Sequence, residues 1–318
     1  MITACVLSPG GRPTVSEIAD LHATLPANTI WLDATEASDE ERAWLERMVA
    51  DDVPEDDEMD DIEQSSRFRI GSGGVQILSL FPQDISGDDV HGVNMSLMLR
   101  GNLLLTTHED EISVMRLLRR RIRRSHNPPD TALDILLHLH ELKVDKLSDM
   151  IEKAYDTLED TSRGITADDD IEGTLKSLID LEKSNSLNLQ ALYDTRRALR
   201  FINRSFETQL DNHQKRIIDE ILNDIESILP HTQFLANKIN FQMAAAMGYT
   251  NHKQNKIIKI FSVAAVVFMP PTWIASVYGM NFKRIPELDW AFGYPISIGL
   301  MVISAALTYL FFRKKGWL

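Results

Sequence analysis

The sequence predicts an α+β membrane protein: an N-terminal α/β module, a run of long helices that ends in a stalk, and two C-terminal transmembrane helices. Three observations carry that prediction. Short β-rich segments punctuated by Gly, Asn and Pro fill the first third of the chain, apolar residues then recur at helical spacing, and two long uncharged apolar runs close it. With 318 residues, 44% apolar and 25% charged, the composition is that of a folded chain and excludes a disordered or collagenous one. The net charge of −14 hides an asymmetry: residues 1–111 hold 23 acidic and 6 basic side chains, whereas 250–318 hold 8 basic and 2 acidic. One cysteine, Cys5, excludes an intramolecular disulfide and suits a reducing compartment; it is expected to be a small buried residue.

The module comes first. Segments 2–7, 29–33, 68–70, 76–81, 95–99 and 103–107 are rich in β-branched and apolar residues and should form one sheet. Arg100-Gly101-Asn102 between the last two has hairpin-turn chemistry. Ser38 followed by Glu41 is a capping box for a helix through Val49. From Leu133 onward Leu136, Leu137, His140, Val144, Leu147, Ile151 and Leu158 mark a helix of about thirty residues. A second long helix is expected over 171–204, after the acidic turn at 168–170, and a third from Asp211. Pro230 is expected to kink or restart that third helix. From His231 through Val277 only Gly248 interrupts the pattern, so the helix should continue into the membrane as a stalk of roughly 70 Å.

The spans follow. Residues 260–280 and 290–312 contain no charge over 21 and 23 positions, enough to cross a hydrocarbon layer of about 30 Å. The alternative, two buried core helices, fits poorly because soluble core helices are seldom uniformly apolar over such lengths. Pro270 and Pro271 are compatible with a span, where neighbours or water satisfy the freed carbonyls. Lys253, Lys256 and Lys259 precede the first span, and Arg313, Lys314 and Lys315 follow the second, so both termini should be cytoplasmic. The N-terminus lacks a basic start and a long apolar run, so no cleaved signal peptide is expected. The expected organisation is a cytoplasmic α/β domain (1–125), a long-helix and stalk region (126–259), two spans (260–280 and 290–312) around an external loop (281–289), and a basic tail (313–318).

Two helices per chain cannot enclose a pore, so any conduction needs several copies around an axis. On the first span, Asn255, Ile258, Ser262, Ala265, Met269, Thr272, Ser276 and Gly279 form a stripe of mostly small or weakly polar residues, with Phe261 beside it. Such a stripe suits a pore face, and equally close packing against any neighbouring helix.

Tyr278-Gly279-Met280-Asn281-Phe282 closes the first span, followed by Pro286-Glu287-Leu288, Trp290 and Gly293-Tyr294-Pro295. With two C-terminal spans and a cytoplasmic α/β module, this resembles the CorA family of magnesium transporters over the whole chain. The resemblance implies a homopentamer in a cell inner membrane, an α/β/α cytoplasmic domain arranged as a funnel, and a pore lined by the first span. Lys283, Arg284 and Ile285 depart from residues common in the family, which puts in doubt an acidic cation-gathering role for this loop.

Neither span contains Asp or Glu, so nothing there could replace the six waters that Mg2+ holds at about 2.0–2.1 Å. A ring of Asn281 amides would instead accept hydrogen bonds from those waters, with Gly279 admitting the backbone to the axis; Met280 and Tyr278 would position the loop or simply pack, and packing is the better reading for Tyr278. Asn255 and Thr272 would add water-binding rings, and Met269 with Ile258 or Phe261 would form apolar constrictions. The expected function is membrane-potential-driven Mg2+ influx, with Co2+, Ni2+ or Zn2+ as alternative main cargo, or a membrane-anchored metal sensor that conducts nothing. The resemblance also implies a regulatory cytoplasmic Mg2+ site between protomers, for which Asp84, Asp88, Asp89, Glu220 and Asp224 are the candidates. The acidic cluster from Asp51 to Glu63 reads as a solvated loop or a divalent sink.

Arg116, Arg119, Arg120, Arg121, Arg123 and Arg124 lack interleaved aromatics, so pairing with an acidic protein surface fits better than nucleic acid. His138 and His140 are two apart and point to different helix faces, unlike a zinc pair. No catalytic triad, Cys-His pair or phosphate-binding Gly-rich Lys loop is present, and an enzyme is not expected.

Overall fold

The computed structural model describes residues 1–7, 13–18, 21, 25–54, 67–71, 74–85, 89–125, 128–167, 171–281, 286 and 290–316. In chain order its elements are β1 (Ile2–Leu7), β2 (Pro13–Glu17), β3 (Thr29–Thr35), α1 (Asp39–Val49), β4 (Phe68–Gly71), β5 (Gly74–Ile85), β6 (Asp89–Arg100) and β7 (Leu103–His108), then α2 (Ser113–Arg124), α3 (Ala132–Ala167), α4 (Ile171–Ser205), α5 (Asn212–Tyr278) and α6 (Gly293–Lys314). They fall into two compact units, Met1–Met243 and Ala244–Leu318, with α5 contributing to both.

In the first unit seven strands form one mixed sheet in the order β2-β1-β3-β7-β6-β5-β4. Only β3 and β7 run parallel; the other neighbours are antiparallel. Side chains alternate between the two faces along each strand. Ile2, Ala4, Leu32, Ala34, Met98 and Leu105 pack under Trp44, Leu45 and Val49 of α1. Cys5, Trp31, Val75, Ile77, Leu97, Leu99 and Leu104 face the other way, into the larger core built with α2, α3, α4 and the start of α5. The result is an α/β/α sandwich. Cys5 is fully buried, and that burial pushes its thiol up to about 11, so it stays protonated and inert.

Local signals in the sequence become specific bonds. Ser38 N–H donates to Glu41 Oε2 at 2.9 Å and Glu41 N–H to Ser38 Oγ at 3.3 Å, completing the capping box of α1. Gly101 sits at φ 55° in the two-residue turn between Arg100 and Leu103, a region where a side chain is strained. Asn102 then accepts the Ala132 N–H at 3.0 Å, anchoring the first turn of α3 to the hairpin. At the start of α5, Gln214 donates to Asp211 and also, through Nε2, to Asp134 Oδ1 at 2.8 Å, which ties the origins of α3 and α5 together.

Three elements differ from expectation. β2 is an edge strand opened by Pro13, which needs no ladder N–H there, and its short polar run gives little β signal. The basic run from Arg116 is helix α2, with Val114, Met115, Leu118 and Ile122 buried beneath it. Pro230 does not restart the third long helix: α5 is helical from Asn212 to Tyr278. Pro230 and Glu226, whose carbonyl loses its usual donor to the proline, are both exposed, so the break lies at the surface of the helix. The acidic turn at 168–170 and the acidic residues 55–63 lie outside the described residues.

A charged network lies within this sandwich, where β5, α3 and α4 meet. Asp194 of α4 accepts hydrogen bonds at 2.9 Å from Ser79 Oγ and from the Leu80 N–H of β5. β4 has ended by that point, so Asp194 closes a strand edge that would otherwise leave a buried donor unpaired. Lys143 of α3, 1% exposed, donates to Ser79 Oγ at 2.8 Å, stands 3.6 Å from Asp194 Oδ2 and lies over the Phe81 ring. Arg67 approaches Asp194 at 4.0 Å and donates to Asn94 at 3.2 Å. Burial pulls the Lys143 ammonium down to about 8, against the opposing pull of Asp194.

One turn earlier on α3, His140 is wholly buried, its Nδ1 2.8 Å from the Leu136 carbonyl. Burial and then the Lys143 charge lower its pKa from 6.5 to about 4. Unfolded chains therefore bind more protons than folded ones between those values, so stability is lost as pH falls from 6.5 to 4, on the order of 3 kcal/mol from this residue. Thermal unfolding of the detergent-solubilised protein from pH 8 to 4 should show this acid limb, and His140→Leu should flatten it. An unchanged slope in the variant would assign the limb to other groups.

Candidate functional site

The second unit holds α5 from Ala244 onward, α6 and the connection between them. Both helices contain a stretch long and apolar enough to cross a membrane, and only 6% of each stretch is buried. Soluble core helices hide such surface. Here Phe261, Phe268, Met269 and Trp273 on α5, and Val302, Leu307, Leu310 and Phe311 on α6, stand exposed. Apolar area of that extent is stable only against lipid or other chains.

Three hydroxyls on these helices bond back to their own backbone. Thr272 Oγ1 donates to the Phe268 carbonyl at 2.8 Å, Ser304 to Met301 at 2.8 Å and Thr308 to Ser304 at 2.9 Å. Pro270 and Pro271 sit inside α5 without ending it and cannot donate to the carbonyls of Val266 and Val267. Two consecutive carbonyls thus lose their α-helical donors in the middle of an apolar segment. Around α6, the Trp290 and Phe292 rings meet edge to face at 6.4 Å at one end. Arg313, Lys314 and Gly316 at φ 72° close the other, an aromatic belt and a basic anchor.

The proposed filter lies where α5 stops. Gly279 N–H donates to the Ala275 carbonyl at 2.9 Å and Met280 N–H to Val277 at 3.3 Å, the last turn of the helix. A Cβ on Gly279 would come within 3.3 Å of the Ala275 carbonyl oxygen, so any side chain there crowds the helix end. Met280 and Asn281 are exposed immediately beyond it. Asn255, Ile258, Phe261, Met269 and Thr272 are likewise exposed along α5, as are Ser262, Ala265 and Ser276 of the same stripe. The stripe is therefore free of intrachain packing, although one chain does not bring its members around an axis. Lys283, Arg284, Ile285, Glu287 and Asp289 lie outside the described residues.

The regulatory candidates are scattered over the first unit. Asp84 and Asp89 lie on paired strands β5 and β6 close to their connection, whose Asp88 is outside the described residues. Glu220 and Asp224 are exposed on α5, Glu220 at 3.8 Å from Arg216. Among the described residues no group of three or more His, Cys, Asp or Glu side chains is placed to hold a metal ion. Sequence reasoning missed the Lys143–Asp194 network, although Lys143 falls on the apolar face with Leu136, His140 and Leu147, a position where a lysine needs a buried partner.

A mixed-sheet α/β/α module, long helices and two exposed apolar helices, the first ending on Gly-Met-Asn, define a two-span membrane protein with a large folded domain ahead of its spans. A family described as CorA-like Mg2+ transporter protein matches residues 26–314. The chain is 40% identical over 294 residues to the magnesium transport protein CorA of Escherichia coli K12, covering 92% of both, and 40% identical over 295 residues to that of Yersinia pseudotuberculosis, covering 92% of this chain and 93% of that one. The chain belongs to the CorA family. In fold it is similar to the CorA magnesium transporter of Methanocaldococcus jannaschii, with a TM-score of 0.74 at 20% identity and coverage of 100% of this chain and 99% of that one. A ZntB cytoplasmic domain from Vibrio parahaemolyticus has a TM-score of 0.58 at 17% identity, over 79% of this chain and 98% of that one.

Proposed function

We propose that the chain is a Mg2+ transporter of the channel type, a homopentamer in the inner membrane with both termini in the cytoplasm. The observation that carries this reading is an exposed apolar stretch at the end of α5, free of acidic residues from 260 onward, that runs into Gly279-Met280-Asn281 in a chain 40% identical to a magnesium transport protein. Residues 1–125 and 126–259 form the cytoplasmic domain and stalk, and 260–280 and 290–312 the spans.

Five Asn281 side chains ring the outer mouth and accept hydrogen bonds from the waters of the hydrated ion, weakly enough to release it. Asn255 and Thr272 repeat the same chemistry along the axis. Met269, with Ile258 or Phe261, closes the path by dewetting. The membrane potential supplies about 2.3 kcal/mol per charge per 100 mV, about 4.6 for a dication, so no nucleotide hydrolysis is required. Cytoplasmic Mg2+ held between protomers by Asp84, Asp88 or Asp89 of one and Glu220 or Asp224 of the next keeps the funnel closed. Its loss lets like charges repel and the pore open.

Mg2+ flux into proteoliposomes under an imposed inside-negative potential tests the reading, with Co2+, Ni2+ and Zn2+ as competitors. Uptake above protein-free vesicles is expected, with Mg2+ the preferred cargo; preference for a competitor would reassign the cargo, and no flux would indicate a sensor. Met269→Ser, which makes the constriction wettable, should raise the resting leak at high internal Mg2+ several-fold. An unaltered leak would remove Met269 from the gate.

A further inference from the structure

Helix α2 carries a feature that ion conduction does not use. Arg116, Arg119, Arg120, Arg123 and Arg124 alone line a concavity of about 460 Å³ on the surface of the first unit. The opposite face of α2 is sunk in the core through Val114, Met115, Leu118 and Ile122, so the helix cannot rotate to spread these charges. Negative charge nearby falls short of the five guanidinium groups. Glu111 lies 3.7 Å from Arg116 and 3.5 Å from Arg119, and Asp33 lies 3.8 Å from Arg119. Arg123 donates to the Val15 carbonyl at 3.2 Å. Arg120 and Arg124 are exposed and have no hydrogen-bond or ion-pair partner among the described residues.

The lining selects the ligand. With no apolar or aromatic side chain in it, the concavity offers nothing to an acyl chain or to a stacked base. Planar guanidinium forks match phosphate oxygens two at a time, and five of them in one cup suit several linked phosphates better than one. Arg119, engaged by the Met115 carbonyl, Glu111 and the 1%-exposed Asp33, adds a fixed positive charge at one side, while Arg120 and Arg124 are free to close on the anion.

We propose that the arginine face of α2 binds compact polyphosphate anions, and binds them in preference without their metal. Each Mg2+ coordinated by such an anion cancels two of its charges and occupies the oxygens that the guanidinium groups would take. Occupancy therefore rises as Mg2+ becomes scarce. Resting on the transport reading above, this gives the cytoplasmic module a second report of metal supply, of opposite sense to a bound cation.

The test is calorimetric titration of inorganic tripolyphosphate into the full-length protein in nanodiscs of zwitterionic lipid at low salt. Saturable binding is expected, weakened about tenfold or more by excess Mg2+ and by Arg120→Ala/Arg124→Ala, which removes two charge-assisted contacts. The control Arg200→Ala/Arg204→Ala, in a separate basic hollow at the end of α4, should bind as the unsubstituted protein does. Both pairs lie on helix surfaces, and an unchanged elution volume and circular dichroism spectrum will confirm the fold. No binding, equal loss in the control, or equal affinity for the Mg2+ complex would overturn the proposal. So would loss of the signal in phosphatidylglycerol discs, which assigns the cup to lipid headgroups. Because no flux is read, failure here leaves the pore assignment standing, and loss of transport leaves this site standing.

Discussion

Asn281→Ala should lower potential-driven Mg2+ uptake into proteoliposomes by about tenfold or more while the assembly, its yield and its thermal stability stay unchanged. The side chain is exposed just past the last turn of α5, where it holds up no other part of the described chain. Around the proposed ring, each amide lost would remove an acceptor for the coordinated waters. A net hydrogen bond is worth about 1 kcal/mol, so several lost together remove most of the ion's residence at the mouth. Asn281→Asp should act differently: a ring of carboxylates binds the hydrated ion too firmly to release it, so uptake falls while occupancy, read by competition with a second cation, rises. If Asn281→Ala transports at the unsubstituted rate, selectivity does not reside at this helix end. Gly279→Ala is a milder change, since the Ala275 carbonyl need yield only a few tenths of an ångström, and should cost less.

The largest effect on stability should come from Asp194→Ala. It leaves the Lys143 ammonium, 1% exposed, and Arg67, 8% exposed, without their buried counter-charge, and it orphans the Leu80 N–H and the Ser79 hydroxyl. Breaking a buried pair by removing one partner costs about 3–5 kcal/mol, most of it the desolvated charge left behind. Thermal unfolding of the cytoplasmic transition should report that loss. Adding Lys143→Met, which removes the stranded ammonium and fills the space against Phe81, should recover part of it. Equal destabilisation by the single and double variants would mean that Lys143 and Asp194 do not act as a pair.

The parts legible in the sequence are those decided by neighbours in the chain. Ser38 and Glu41 are three residues apart, and their capping box forms as the spacing demands. Gly101 takes the turn that only its missing side chain makes easy, and the two apolar runs declare themselves by length. What stayed hidden depends on distant partners. Ser79 and Asp194 are 115 positions apart, and nothing local marks Asp194 as buried. Helix α2 was obscured because its arginines dominate the composition and its four buried residues are interleaved among them. Of the two outcomes expected at Pro230, the restart does not occur, since the residue lies on the exposed face of α5 and the helix runs through it. For the site, the chain order places Asn281 at a helix end, whereas the axis it would line exists only between copies.

A passive Mg2+-conducting path shows itself in the reversal potential of current across planar bilayers containing the purified protein, with Mg2+ the only permeant cation and no nucleotide present. A current is expected whose reversal shifts by about 30 mV for each tenfold change in the Mg2+ gradient, the response of a divalent ion moving down its own electrochemical potential. A reversal that ignores the Mg2+ gradient, or no current above bare bilayers at low cytoplasmic-side Mg2+, would contradict it.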